Sequence, residues 1–281
     1  TRFKRMSGYK SLWLPGADHA GFETQIVYEK KLQKEGRSRF KMDPQDLYKE
    51  IYDFTIENKA TMENQVRKLG ASCDWSREKF TLDPEIVTKV QKTFKKMYDD
   101  GLVYRGNRMV NWCTKHQTSL SDVETETVEK TDKLYYIKYG PVTVATVRPE
   151  TIFGDVAIAV NPTDKRYNNL IGTSVTVTTP IGNMDLQVIG DESVETDFGT
   201  GALKITPSHD NNDAEMAERH NLPFIEIIDQ YGRLNEKTGK YVGMKIATAR
   251  EAVAKDLGEM GLLEKVEDYT HPVPTCYKCG T

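Results

Sequence analysis

Two short cysteine motifs constrain this chain more than any other feature. Cys113-Thr-Lys-His116 and Cys276-Tyr-Lys-Cys279 each set two soft ligands across one tight turn, the spacing from which tetrahedral zinc sites are built. Neither pair is a complete set; together they supply Cys113, His116, Cys276 and Cys279 for one structural Zn²⁺. Residues 117–275 lie between the pairs. If one ion takes both, that stretch is an insertion whose ends meet at the metal, and the ion closes a very long loop. The competing reading is a set of reduced thiols. Cys73 has no partner in sequence and is expected to pack as a small apolar residue. Thiols without a disulfide framework fit a reducing compartment, so a cytoplasmic location is expected.

The pattern on either side of the first pair differs. Residues 1–110 read as helical. Asp43-Pro44 and Asp83-Pro84 are helix starts, an N-cap acid before Pro at N1. Leu47, Ile51, Phe54, Met62, Val66 and Leu69 follow the first at helical spacing, and Ile86, Val87, Val90, Phe94, Met97 and Tyr98 follow the second. Each stripe needs a surface to cover it. A third helix is expected near residues 21–35. From about residue 133, LYYIKY, VTVATV, DVAIAV, SVTVTT and MDLQVI are short β-branched or aromatic runs broken by Gly, Pro and Asn. They predict a β-barrel or a β-sandwich, interrupted by a helix from Asp210 to about His220 and another from Thr248, where Thr-Ala-Arg-Glu reads as a capping box. Charge is split too: residues 1–110 hold 22 Lys/Arg against 16 Asp/Glu, and residues 111–281 hold 17 against 26. The basic part could meet a polyanion, or the two parts could be solvated faces of opposite sign. No run of 18 apolar residues occurs, so no membrane partner is expected. The start lacks Met, and the chain is expected to be a piece of a longer one.

The densest chemistry lies in DFGTGALKITPSHDNND, residues 197–213. Gly199 and Gly201 flank Thr200 and let backbone approach a ligand. Lys204 and Thr206 share one face of a strand. Asp210 and Asp213 sit on the first turn of a helix, where they either face a pocket or serve as N-cap and dipole partner. A cation, hydroxyls and two carboxylates suit a small zwitterionic or aminoacyl ligand. Arg148, before Pro149, could clamp an anion or pair with Glu150.

Taken together, LWLPGADHAGFETQ, LGASCDWSREKFTLD, GLVYRGNRMVNWC, QTSLSDVETE, ATVRPETIFGDVAIAVNP, FGTGALKITPSHDNND and the closing C-x-x-C resemble the valyl-type enzymes of the class I aminoacyl-tRNA synthetases over essentially the whole chain. Leucyl and isoleucyl enzymes share the plan, and their editing domain is the nearest alternative; GASCDWSRE and RPET lean to the valyl type. The resemblance implies an α/β plus β fold: a partial Rossmann-type catalytic core at 1–110, mainly a helical remnant; zinc-knuckle linkers at 111–134 and 270–281, forming a split zinc ribbon; and an inserted β-barrel editing domain at 135–269. By that match Pro15 contacts the substrate side chain and Asp18 its ammonium. The HIGH-type and KMSKS-type motifs do not occur here, so ATP and Mg²⁺ act only in a full-length parent that joins valine to tRNA(Val). The editing signature usually reads Thr-Thr-Arg-Pro, against Thr146-Val147-Arg148-Pro149 here, and the first knuckle more often reads C-x2-C.

The implied editing reaction is hydrolysis of threonyl-tRNA. On that reading Asp213 anchors the α-ammonium, and Lys204, Thr206 and Asp210 read the threonyl hydroxyl. Arg148 and Thr146 lie near the ester and terminal adenosine, and Phe198 gives that adenosine a surface. Backbone amides around Thr200 stabilise the oxyanion. No His–carboxylate base is evident. His209 is expected to be structural, with the substrate's ribose hydroxyl holding the water. A monomer is expected. The alternative from another class is a non-catalytic tRNA-docking and structural zinc module.

Overall fold

Helices start at both Asp-Pro positions, Pro44 and Pro84, in the computed structural model, which describes Thr1–Thr281 and divides into two units, Thr1–Gly106 and Asn107–Thr281. The N-terminal unit runs α1 (Arg2–Met6), β1 (Gly16–Ala17), α2 (Gly21–Lys34), α3 (Pro44–Lys68), β2 (Lys79–Phe80) and α4 (Pro84–Asp99). The Asp43 carboxylate accepts from the Gln45 amide at 2.8 Å, as an N-cap should. Asp83 holds the N-cap position of α4, but its carboxylate turns back to the Phe80 amide at 2.9 Å. β1 and β2 form a short parallel pair, Gly16 beside Lys79. Ile26, Tyr28 and Leu32 on α2 are buried, as are Ala17 and Phe80. On α4, Val90, Phe94, Met97 and Tyr98 remain exposed.

The C-terminal unit contains β3 (Asn111–Cys113), β4 (Thr118–Leu120), β5 (Thr125–Tyr139), β6 (Val142–Thr146), β7 (Ala157–Val160), β8 (Ser174–Thr179), β9 (Gly182–Gly190), β10 (Ala202–Ile205), α5 (Asn211–His220), α6 (Ile246–Glu259) and β11 (Leu263–Cys276). Of the barrel and the sandwich that the strand pattern left open, the barrel, which the resemblance implied, does not close. β11-β5-β6 form an antiparallel sheet, β10-β7-β9-β8 form a mixed one with β7 and β9 parallel, and no ladder joins them. The cause lies at the β6 edge. Past Thr146 the chain turns at Arg148-Pro149 into a buried 3₁₀ turn, Pro149–Gly154, because Pro cannot continue a ladder. At the edge itself, Thr200 Oγ1 donates to the Thr143 carbonyl at 2.5 Å. A side chain thus occupies a position that a closing strand would take.

The sheets still share a core. Ile137, Tyr139, Val142 and Val144 face Ile158, Val160, Val175, Val177, Leu186 and Val188, with Ala249, Val253 and Leu257 of α6 packed on the same cluster. Ala157 and Ala159 face the other way, onto Ile205 and Met216 of α5. Burial on both faces explains why β7 is a continuous apolar run.

Two details depart from expectation. α6 begins at Ile246, so Thr248 lies inside it and caps nothing; its N-cap is Lys245, with no side-chain cap bond. A bridge between Arg233 and Lys245 holds the chain extended up to that residue, and the Ile246 amide bonds the Gly232 carbonyl at 3.2 Å. A long-range tie therefore sets the start. In addition, much of the segments read as linkers is strand: β5 and β11 pair continuously from Tyr136/Lys265 to Thr125/Cys276.

Candidate functional site

That ribbon brings the distant cysteine motifs together. The register sets Cys276 opposite Thr125, and the Tyr277 amide bonds the Glu124 carbonyl at 3.1 Å. The first knuckle is the β3–β4 turn, where Gln117 at positive φ donates to the Cys113 carbonyl at 2.7 Å. The second closes when Gly280, also at positive φ, donates to the Cys276 carbonyl at 2.8 Å. Cys113 Sγ lies 3.4 Å from His116 Nδ1 and 3.6 Å from Cys279 Sγ, and Cys276 Sγ lies 3.8 Å from His116 Nδ1. All four ligand atoms fall within 4.8 Å of one another. Ligands of a tetrahedral zinc, at about 2.0–2.3 Å from the ion, stand about 3.5–3.8 Å apart. The set fits that ion by both donor chemistry and spacing.

The second constellation surrounds Lys204, which is 6% exposed. Its Nζ donates to Thr151 Oγ1 at 2.8 Å, Asp155 Oδ1 at 2.9 Å and Thr206 Oγ1 at 2.5 Å. Thr206 Oγ1 in turn donates to Asp155 Oδ1 at 2.5 Å, and Tyr139 Oη donates to Asp155 Oδ2 at 2.6 Å. Asp155 is completely enclosed, and burial raises its carboxyl above the usual range despite the ammonium beside it. Burial likewise pushes Asp213 up to about 6, although its Oδ2 accepts from the Thr206 amide at 2.8 Å.

The remaining expected residues are placed as follows. Asp210 is the N-cap of α5, accepting from the amides of Asn212 at 2.8 Å and Asp213 at 3.1 Å. Asp210, exposed, thus takes the capping alternative, while Asp213 one turn on is buried. Arg148 donates to the His209 carbonyl at 2.5 Å and lies 3.7 Å from Glu150, while its own amide bonds Thr146 Oγ1 at 3.0 Å. Glu150, wholly buried, takes Arg250 through two bonds of 3.0 Å. His209 Nε2 accepts the Ile227 amide at 3.1 Å. Burial first, then Arg148 and Lys204, hold its imidazole down to about 4. Its lone pair is thus engaged, the structural role expected of it. Phe198, 47% exposed, meets the Tyr269 ring edge-on at 5.9 Å, and Tyr269 stacks on His271.

Around Thr200 the glycines serve the chain itself. A Cβ on Gly201 would strike Arg166, with the Thr196 carbonyl at 3.0 Å, and one on Gly199 would meet Ala145 at 3.0 Å. The Gly201 amide bonds the Phe198 carbonyl and the Ala202 amide bonds Thr200 Oγ1, so neither faces a ligand. In the N-terminal unit, Pro15 lines a cavity of about 220 Å³ with Trp13, Met62, Val66 and Trp75. The Asp18 side chain is 78% exposed and accepts from the Ala20 amide at 2.8 Å.

Sequence reasoning passed over Asp155, Thr151 and Tyr139. The signal was present for Asp155: a lone acid opening an apolar run that is buried must find a partner.

Comparison with known proteins adds three findings. A family model described as tRNA synthetases class I (I, L, M and V) matches residues 1–264. A valine–tRNA ligase of Pseudothermotoga lettingae is 46% identical over 286 residues, covering 100% of this chain and 33% of the relative. One from Petrotoga mobilis is 47% identical over 287 residues, again 100% of this chain and 33% of the relative. The chain spans about a third of the length of the curated relatives it matches.

Proposed function

This chain belongs to the class I tRNA synthetases of the I, L, M and V group, and from that premise we propose that it is the part of a valine–tRNA ligase that carries the proofreading site. On this reading the C-terminal unit is the editing domain and hydrolyses threonyl-tRNA(Val). The N-terminal unit is part of a Rossmann-type activation domain, where Pro15 and Asp18 meet valine. The parent enzyme joins valine to tRNA(Val) with ATP and Mg²⁺. Cys113, His116, Cys276 and Cys279 hold a structural Zn²⁺ that ties the base of the insertion.

One observation carries the editing assignment: the enclosed Lys204–Asp155–Thr206–Thr151 cluster, with Asp213 beside it. An apolar pocket separates valine from threonine poorly, that pair being a standard illustration of the problem. A second site that accepts a hydroxyl solves it, because valine would leave buried polar groups unpaired. Asp213, anionic above pH about 6, binds the α-ammonium. Arg148 and Thr146 lie toward the ester and ribose, and Phe198 packs on the terminal adenosine. Water attacks the ester carbonyl, the bond to the ribose oxygen breaks, and threonine and tRNA leave. With His209 Nε2 occupied by the Ile227 amide, the water is held by the vicinal ribose hydroxyl.

Replacing Asp213 with Ala should reduce threonyl-tRNA hydrolysis about 100-fold or more, the loss expected on removing one partner of a buried charge pair. Near-normal hydrolysis would refute the assignment. Salt-sensitive tRNA binding without any hydrolysis would instead favour a docking module.

A further inference from the structure

Counting hydrogens in the buried cluster gives a result that the residue types alone do not. Lys204 has three ammonium hydrogens, and Thr151, Asp155 and Thr206 take all of them. The Thr206 hydroxyl hydrogen goes to Asp155, and the Thr151 hydroxyl hydrogen goes to the Arg148 carbonyl at 2.9 Å. Asp155 Oδ2 is engaged by Tyr139. No hydrogen of Lys204, Thr206 or Thr151 remains for a ligand. Each hydroxyl oxygen has accepted one bond, from Lys204, and keeps one lone pair.

Resting on the editing reading above, we propose that Asp155 is the positioning residue that sets this proton order and makes the wall an acceptor, so that the site selects a substrate able to donate a hydroxyl hydrogen. Asp155 touches no ligand in this account. It draws the Thr206 hydrogen inward and anchors Lys204, which in turn points its hydrogens at both threonines. A threonyl hydroxyl can donate to either free lone pair, whereas a valyl methyl cannot. Loss of the Asp155 charge removes the strongest acceptor in the cluster and frees the Thr206 hydrogen and the Lys204 ammonium to reorient. The wall then stops discriminating.

The test compares the 281-residue chain with its Asp155→Asn variant on threonyl-tRNA and valyl-tRNA, reading kcat, KM and the rate ratio of the two esters. Asn matches Asp in volume, and thermal unfolding confirms that the variant folds. The expected result is a fall in threonyl kcat of about 10- to 100-fold, the scale of a lost buried hydrogen-bond network. KM should change little, and the threonyl-to-valyl ratio should narrow. Wild-type kcat and ratio in a folded variant would overturn the proposal. So would an equal loss on both esters, which is what a purely structural role produces. If the unsubstituted chain fails to cleave threonyl-tRNA, the editing reading itself fails and this inference goes with it; if it cleaves and Asp155→Asn matches it, only the inference fails. Should Asp155→Asn not fold, the smaller Asp155→Ser removes the same charge from the cluster. It should narrow the ratio in the same way, and an unchanged ratio in the folded variant would overturn the proposal equally.

Discussion

The two units bury their apolar residues to very different degrees. The C-terminal unit closes two core clusters from both sheets and both of its helices. The N-terminal unit buries chiefly one face of α2 with Ala17 and Phe80, and of the α4 stripe Val90, Phe94, Met97 and Tyr98 stay exposed. The stripes are similar in kind, since α4 is strongly amphipathic. The difference is supply of surface: the C-terminal unit folds back on itself through the β5–β11 ribbon, whereas nothing within Thr1–Gly106 covers Phe94 or Val90. The C-terminal unit thus builds its core from its own elements, and its polar cluster can be enclosed.

The largest effect that would sharpen this contrast is in the C-terminal core. Ile205→Ala, at a fully buried site, should cost about 2–5 kcal/mol by chemical denaturation. Arg250→Ala takes both hydrogen bonds from the enclosed Glu150 carboxylate and leaves it only Arg148 at 3.7 Å, which should cost about 3–5 kcal/mol. A loss under about 1 kcal/mol for either would mean that the C-terminal core is not closed. Metal analysis should find about one zinc per chain, and chelation should lower the unfolding temperature of the C-terminal unit. Less than about half an equivalent would dissolve the tie.

A smaller effect is electrostatic. Asp213 is raised in the folded state to about 6 from 3.8, so the folded protein binds the extra proton. Its contribution is fully present below about pH 4 and is lost as pH rises through 6, by about 3 kcal/mol. His209 is depressed from 6.5 to about 4. Its contribution is complete above pH 6.5 and is lost as pH falls toward 4, also by about 3 kcal/mol. The two slopes oppose each other over pH 4–6. The difference in stability between the parent chain and His209→Gln should therefore grow with rising pH over pH 4–6. A difference that stays constant across that range would contradict the assignment. The smallest effect belongs to the N-terminal unit: Phe94→Ala, 60% exposed, should change stability by less than about 0.5 kcal/mol. A core-sized loss would show that the stripe is covered.

The contrast also explains which features could be read from the residues. Asp43-Pro44 starts a helix through bonds two residues away, and β7 announces itself by a run of apolar residues, so both were legible. The cluster of Cys113, His116, Cys276 and Cys279 was legible because each half of it is local. The fate of Lys204 was not, since its partners Thr151 and Asp155 lie 53 and 49 residues off. The capping box at Thr248 misled for the same reason: the bridge between Arg233 and Lys245 overrides a local signal. Barrel closure failed on the Thr200 side chain bonding across 57 residues to Thr143. Strand composition says where ladders can form and is silent on where one is blocked.

The most direct test of the account is the rate at which this chain hydrolyses threonyl-tRNA and valyl-tRNA, measured beside Asp213→Ala. The account predicts cleavage of the threonyl ester well above that of the valyl ester, with the threonyl rate collapsing in the variant. Equal cleavage of both esters, or an Asp213→Ala variant as fast as the parent chain, would contradict it.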